Sequence, residues 1–519
     1  MSTRYSAESP HRIRCLLACT VLLGGCDAGT EMASAPAAPA TGPATAPAAE
    51  AAATTAGPEA RNMSLVGSHE LQGRSAYQPV PHTYAGRTIL FVGHHAGEAL
   101  NPMTGQVEVN GMSILDVTDP GLPVLLRHQP PTGTEASGTQ HVQICDGAVL
   151  PNADPEKIYL ARTNGLLGYE IFDVTDPAAP VFLTTVAETG YSSRGESSRG
   201  DRETHKFQWE CETGIGYFNG TPEGWRVTRL LQAFDLSNPE APRHIRDFGL
   251  DGWQPGAGGP MPEESVSGLH QPFVVGNRMY LGYGSGGNGV LQILDRDKFL
   301  NGDPDADDPF APLPENLLYP QIARLDFPRY WGAHTAKPIY DVPIADYADD
   351  SENSSRDLLI IVSEAGGDAA RCQGTRDVTF IVDISLEDKP FPISTFQVPE
   401  EPGDFCNRGG RFGPHSVHDA YNPAFDKTLA VLSYFNAGIR AVDIRNPFNP
   451  VEVGYFIPEV NANTAEYCTP IDGVEECKVV VQTNNVNIDD RGYIYAVDRA
   501  GTGLHVVALQ GDARAIVGL

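Results

Sequence analysis

Hydrophobic and polar positions in this chain fall into short alternating runs, and the runs return in a fixed order. An apolar strand opens each unit: RTILFVG (87–93), EKIYLAR (156–162), NRMYLGY (277–283), DLLIIVS (357–363), TLAVLSY (428–434) and GYIYAVD (492–498). A turn rich in Gly and Asn follows, then a second strand ending in Asp: SILDV, EIFDV, LQAFDL, LQILDR, FIVDI and RAVDI. Asp-Pro or Asn-Pro then leads into a further strand such as PVFLTTV or PVEVGYF. Alternating β-branched residues favour an extended, half-buried strand. Asp and Asn tighten the next turn by bonding their own downstream backbone, and Pro bars the ladder from continuing. The phrase ILDVTDPGLP (114–123), echoed at 171–180 as IFDVTDPAAP, therefore predicts a strand, a turn and the start of another strand.

The Asp-terminated strands end at Asp116, Asp173, Asp235, Asp295, Asp383 and Asp443, and GLHVVAL (503–509) is a seventh without the Asp. Their spacing is about 60 residues, with one longer step from Asp295 to Asp383. Strand units at this period, with no helical periodicity between them, predict an all-β, seven-bladed β-propeller. A solenoid would need shorter, more uniform turns. GLHVVAL lacks a fourth partner, so the last blade is expected to borrow a strand from 64–82. The strands IVDI (381–384), AVDI (441–444) and ILDV (114–117) resemble the LVIVD repeat family, over most of 85–510. The resemblance implies a bacterial or archaeal propeller, in many members exported, and says almost nothing about activity. The unit containing ILDRDKF (293–299) departs from it by lacking the Asp-Pro turn. NGDPDADDP (301–309) has acidic spacing like a calcium loop but no downstream bidentate Glu, and reads as a solvated insertion.

The N-terminal region bears on location. Arg4, Arg12 and Arg14 precede a short apolar core, CLLACTVLL (15–23), and LGGC ends at Cys26. This layout is that of an export signal over 1–26, too short to remain as a spanning helix. Small residues before Cys26 resemble a bacterial lipobox, which implies a lipid on that cysteine; an ordinary secretory signal with a chance cysteine is the alternative. Asp27 resembles the residue that retains lipoproteins at the inner membrane. Residues 27–60 are almost all Ala, Pro, Thr and Gly, a composition for a flexible tether, which leaves 61–519 for the propeller. The expected place is the periplasmic side of the cell envelope, with the membrane reached through the lipid.

Charge narrows the partners. With 66 Asp+Glu against 36 Lys+Arg, the chain lacks the basic patches that nucleic acid requires. Of nine cysteines, six remain beyond Cys26, an even number in an exported chain, and suggest disulfides. Cys468 and Cys477 bracket a short polar loop, Cys372 and Cys406 flank one strand pair, and Cys145 and Cys211 are left for each other.

A histidine precedes the first strand of most units: His141, His205, His270, His334, and His415 with His418. Asn484 holds that place in the last unit, and Tyr77 or Gln78 stands nearest in the first. Innermost strands line a propeller's channel, so these positions should gather at one mouth. The loops leaving the second strands should bring His94, His95, Arg162, Asn219, Ser285, Glu364, Asn436 and Arg499 to the same end. Three readings compete. The histidines could each clip a neighbouring blade; they could line a small-molecule or peptide site; or they could hold a transition metal, since neutral imidazole suits copper, zinc, iron or nickel. No HExxH, CxxC or GxSxG motif identifies a metal centre or a nucleophile. The expected function is a binding or scaffold module with its ligand at the channel mouth. The alternative is a metal-dependent enzyme, such as an oxidoreductase, using the histidines.

Overall fold

The computed structural model describes residues 58–519, apart from 85, 133–137, 166, 188–203, 228, 260–267, 344–353, 367–371 and 472–473. The expected signal, the expected lipidation at Cys26 and most of the expected tether lie outside the described residues.

Among the described residues, seven antiparallel sheets each contribute four strands of a blade, and two of the sheets carry a fifth strand. The inner strands run, in blade order, Ala76–Tyr84, Val142–Asp146, Gln208–Glu210, Leu269–Val275, Thr335–Pro343, Ser416–Val417 and Thr483–Ile488. Each touches the inner strand of the next blade, and the seventh touches the first, which closes the ring. The chain is a seven-bladed β-propeller.

The recurrent Asp does one job in blade after blade. Asp116, Asp173, Asp235, Asp383 and Asp443 each accept from the backbone N–H two residues on, at 2.9–3.0 Å. The ladder to the outer strand shifts register two residues earlier, for instance between Ile171 and Phe172 and between Ile381 and Val382. Such bulges sharpen the local twist. Where the Asp-Pro turn is missing, Asp295 instead caps a helix, Arg296–Asn301, by accepting from Lys298 N at 3.0 Å. The acidic insertion after it is held by turns in which Asp303 and Asp308 bond backbone N–H groups two residues on.

Blades adhere through apolar faces. Val362 and Ile381 of blade 5 pack with Leu432 and Val442 of blade 6, all buried. Tyr280 and Ile293 of blade 4 pack with Leu359 and Ile361 of blade 5. Burying one such side chain is worth about 1.5–3 kcal/mol. Near the channel, side-chain amides replace ladder bonds between blades. Gln143 donates to Phe207 O at 3.0 Å and accepts from Trp209 N at 2.6 Å. Gln208 repeats the arrangement on both backbone groups of Val274 at 2.8 Å.

The ring closes across the termini. Met63–His69 pairs antiparallel with Leu504–Leu509 and becomes the outer strand of blade 7. This is the borrowed strand, at the start of the expected window. Glu59–Arg61 also forms a strand, on the outer edge of blade 6 against Val451–Ile457. Arg61 stands opposite Tyr455 in this ladder and donates to Glu452, three residues away on the same neighbouring strand, at 2.9 Å. The six cysteines form the pairs Cys145–Cys211, Cys372–Cys406 and Cys468–Cys477. Among the described residues, no helix is long and apolar enough to cross a membrane.

Candidate functional site

The inner strands begin at one end of the channel, and four of the predicted histidines meet there. His205 Nε2 lies 2.8 Å from His270 Nε2. The rings of His270 and His334 stack with centroids 3.3 Å apart, and His334 lies 5.0 Å from His415. Tyr77 of blade 1 turns its hydroxyl to His205 Nε2 at 3.2 Å. Glu364, from the loop after the second strand of blade 5, reaches both remaining rings. Its carboxylate oxygens lie 3.5 Å from His334 Nε2 and 3.6 Å from His415 Nε2. The three ligand-type atoms of His334, Glu364 and His415 lie within 4.8 Å of one another.

Backbone proximity makes this convergence possible. Gly282 packs so closely on the chain before His334 that an added Cβ would stand 2.2 Å from Ala333 O. Beneath His415 sits Phe435, ring centroids 5.1 Å apart, with φ at +36°. That conformation is strained for a bulky residue and persists only where the surroundings enforce it. Here Thr483 N donates to Phe435 O at 3.0 Å, and the guanidinium groups of Arg411 and Arg499 each lie 5.3 Å from its ring.

Burial disfavours the charged form of every imidazole in the cluster. Burial lowers the pKa of His205, His270, His334 and His415 well below the usual value, and neighbouring positive charge adds to it: Arg229 at His205, Lys206 at His334, Arg499 at His415. Deeper in the channel lies a second polar layer that the sequence did not disclose. Lys206, fully buried, donates to Asp419 at 3.0 Å. Burial opposes the Asp419 charge, yet Lys206 and His141 beside it hold its pKa far below the usual range. Lys337 donates to Ala420 O at 2.8 Å, and burial brings its pKa down to about 8.

Other predicted residues sit elsewhere. His141 accepts from Phe207 N at 3.4 Å and faces Asp419 at 3.8 Å, so it belongs to the deeper layer. The reason is register. His205 stands three residues before the inter-blade amide Gln208, whereas His141 stands two before Gln143. One residue of offset moves a strand side chain to the other face. Gln140 takes the cluster position instead and meets His205 Nδ1 at 2.8 Å. His418, three residues after His415, likewise faces away, with its Nδ1 accepting from Val431 N. His94 is buried inside blade 1, bonded to Ser113 Oγ at 2.8 Å. Arg162 is a fully buried clamp, paired with Glu170 at 2.7 Å and donating to Gln129 O and Pro130 O. Asn436 spends its amide on Phe405 O and Gly409 O. The contacts of these three run to their own blade, the next blade or an adjoining loop, and not to the histidine cluster. His95, Arg499 and Asn484 stay beside the cluster. Arg499 donates to His95 Nε2 at 3.0 Å, His95 packs edge-on against Tyr77, and Asn484 bonds Tyr77 O and His415 Nδ1. Asn219 supports His270 by donating to its carbonyl at 2.7 Å.

No family model and no curated protein matches the chain. Solved structures do match in part. Sqt1 of Saccharomyces cerevisiae is 7% identical, with 86% of this chain and 99% of that one covered and a TM-score of 0.43. The Dos1 propeller is 11% identical, with 87% and 96% covered and a TM-score of 0.43. The propeller domain of Swd1 from Myceliophteria thermophila is 9% identical, with 83% and 97% covered and a TM-score of 0.40. At these identities the likeness concerns architecture only.

Proposed function

We propose that this chain is a lipid-anchored binding module on the periplasmic side of the bacterial envelope, an LVIVD-type propeller whose ligand occupies the channel cluster. One observation carries the reading. His415 does bond the backbone of the next blade through Asn484 O, but Tyr77, His205, His270, His334 and His415 come from five blades and also turn polar atoms or ring faces toward one another. Polar groups that converge from several elements are what fixes a ligand's orientation. The anchor part is supported by LGGC ending at Cys26. A metal-dependent oxidoreductase is the alternative, and it draws on the same imidazoles.

Two measurements test the proposal. Palmitate labelling and membrane fractionation of the wild type and Cys26→Ser should show lipid and membrane association lost in the variant; an unmodified mature N-terminus at another residue would refute the anchor. Thermal melts of the folded chain against small anions, amino acids, sugars and metal salts should find a stabilising compound, since a ligand specific for the folded state raises Tm. The shift should vanish in Tyr77→Phe combined with His270→Ala. A panel without any shift, or a shift indifferent to both changes, overturns the channel as the site.

A further inference from the structure

Proton bookkeeping in the cluster points to a specific kind of ligand. His415 Nδ1 lies 2.5 Å from the backbone carbonyl of Asn484. A carbonyl can only accept, so the His415 ring donates from Nδ1, and its Nε2 is the nitrogen left to face Glu364 Oε1 at 3.6 Å. A carboxylate oxygen and an imidazole nitrogen placed in this way can share one cation. On the opposite side of the cluster, His205 Nδ1 meets the Gln140 side-chain oxygen, and its Nε2 is directed at His270.

Two of the three spacings in the trio approach those of a coordination sphere, and all three lie within 4.8 Å. With bonds of about 2.0–2.1 Å, the ligand atoms of a tetrahedral ion stand about 3.3–3.4 Å apart. Glu364 stands 3.5 Å from His334 Nε2 and 3.6 Å from His415 Nε2, with one carboxylate oxygen toward each. The outer contacts are those that orient metal ligands. Asn484 O receives the His415 Nδ1 proton, Thr335 Oγ1 lies 3.0 Å from His334 Nδ1, and Arg411 Nη1 holds Glu364 at 3.2 Å. Imidazole nitrogen with one carboxylate selects a transition metal over calcium or magnesium. Among the described residues, the second grouping of ligand-type side chains, Glu466 with Cys468 and Cys477, has its sulfurs bonded to each other.

We infer that His334, His415 and Glu364 hold one divalent transition-metal ion, with an open coordination position toward His270 and His205. This rests on the reading of the channel cluster as a ligand site and names its ligand. Two histidines and one carboxylate with an open position form a reactive type of centre, as distinct from a closed structural one.

The test is titration of the chelator-stripped chain with cobalt(II), read by calorimetry and by visible absorption. One equivalent should bind, with d–d bands of low-symmetry cobalt. X-ray absorption of the wild-type complex should count two imidazoles and oxygen, without sulfur. Glu364→Gln and His334→Ala should each weaken binding beyond the roughly 10–100-fold typical of losing an outer contact. His141→Ala and His418→Ala should leave affinity and stoichiometry unchanged, because both rings lie outside the trio. Absence of saturable binding overturns the inference, as does equal loss in all four variants or sulfur in the first shell. The wild-type absorption experiment decides the matter even if a variant fails to fold. A stabilising non-metal compound whose effect depends on Tyr77 and His270, together with no cobalt binding, would remove the metal and leave the binding module standing.

Discussion

His505 offers a test of the fold's electrostatics far from the cluster. It lies in the third strand of blade 7, opposite Ser68 of the borrowed strand, and is 7% exposed. Burial alone lowers its pKa, from 6.5 to about 4. Because the folded value is below the unfolded one, the unfolded chain takes up the proton first as pH falls. Stability is therefore intact above pH 6.5, declines as pH drops through that value, and has lost its full share near pH 4. At pH 5 the difference amounts to about 2 kcal/mol, and the full loss at lower pH to about 3 kcal/mol. His505→Leu keeps similar volume and removes the titration. In urea unfolding followed by tryptophan fluorescence, the variant should gain about 2 kcal/mol on the wild type between pH 7.5 and pH 5. The other histidines titrate in both proteins and cancel in the comparison. If the gap between variant and wild type is the same at both pH values, His505 titrates alike folded and unfolded, and the burial argument fails.

Closure and cross-links give two more expected outcomes. A chain beginning at residue 71 lacks Met63–His69, forfeits about 2–3 kcal/mol with buried Met63 alone, and bares the edge of Leu504–Leu509. It should aggregate and melt earlier than a chain beginning at 58, and equal heat stability would mean the ring closes otherwise. Replacing Cys145 and Cys211 by Ala should cost about 4 kcal/mol, and replacing Cys468 and Cys477 about 3 kcal/mol, since the bridges span 66 and 9 residues. Urea midpoints that reverse this order would show that loop entropy is not what the bridges act through.

The architecture was legible because its signals are local. A strand ending in Asp, with a turn two residues later, is written in consecutive residues, and the hydrogen bonds of Asp116 to Asp443 follow it closely. The cluster was half legible. The recurrence of histidine named His205, His270, His334 and His415, but it could not show that His141 is one residue out of step, since that depends on where Gln143 meets the next blade. The same recurrence hid Gln140, which has no histidine to mark it. Arg162 looked like a residue of the mouth because its place in the turn matches Glu364; only packing shows Glu170 beside it. Lys206 and Asp419, 213 positions apart, had no signal in common beyond a buried lysine's need of a partner.

The seam of blade 7 also ties the molecule to the order of its synthesis. Ser64 and Gln510, which bond across the seam, are separated by 446 positions, so the outer strand of blade 7 is made long before the strand it pairs with. At about 5–20 residues per second, that wait is roughly 20–90 s. Throughout it, Met63–His69 has no partner, and no prefix of the chain can supply one. A product cut short by a few dozen residues would hold six finished blades and still present two open edges. Only a chain synthesised through Leu504–Leu509 can cover these edges, the kind of edge through which chains aggregate.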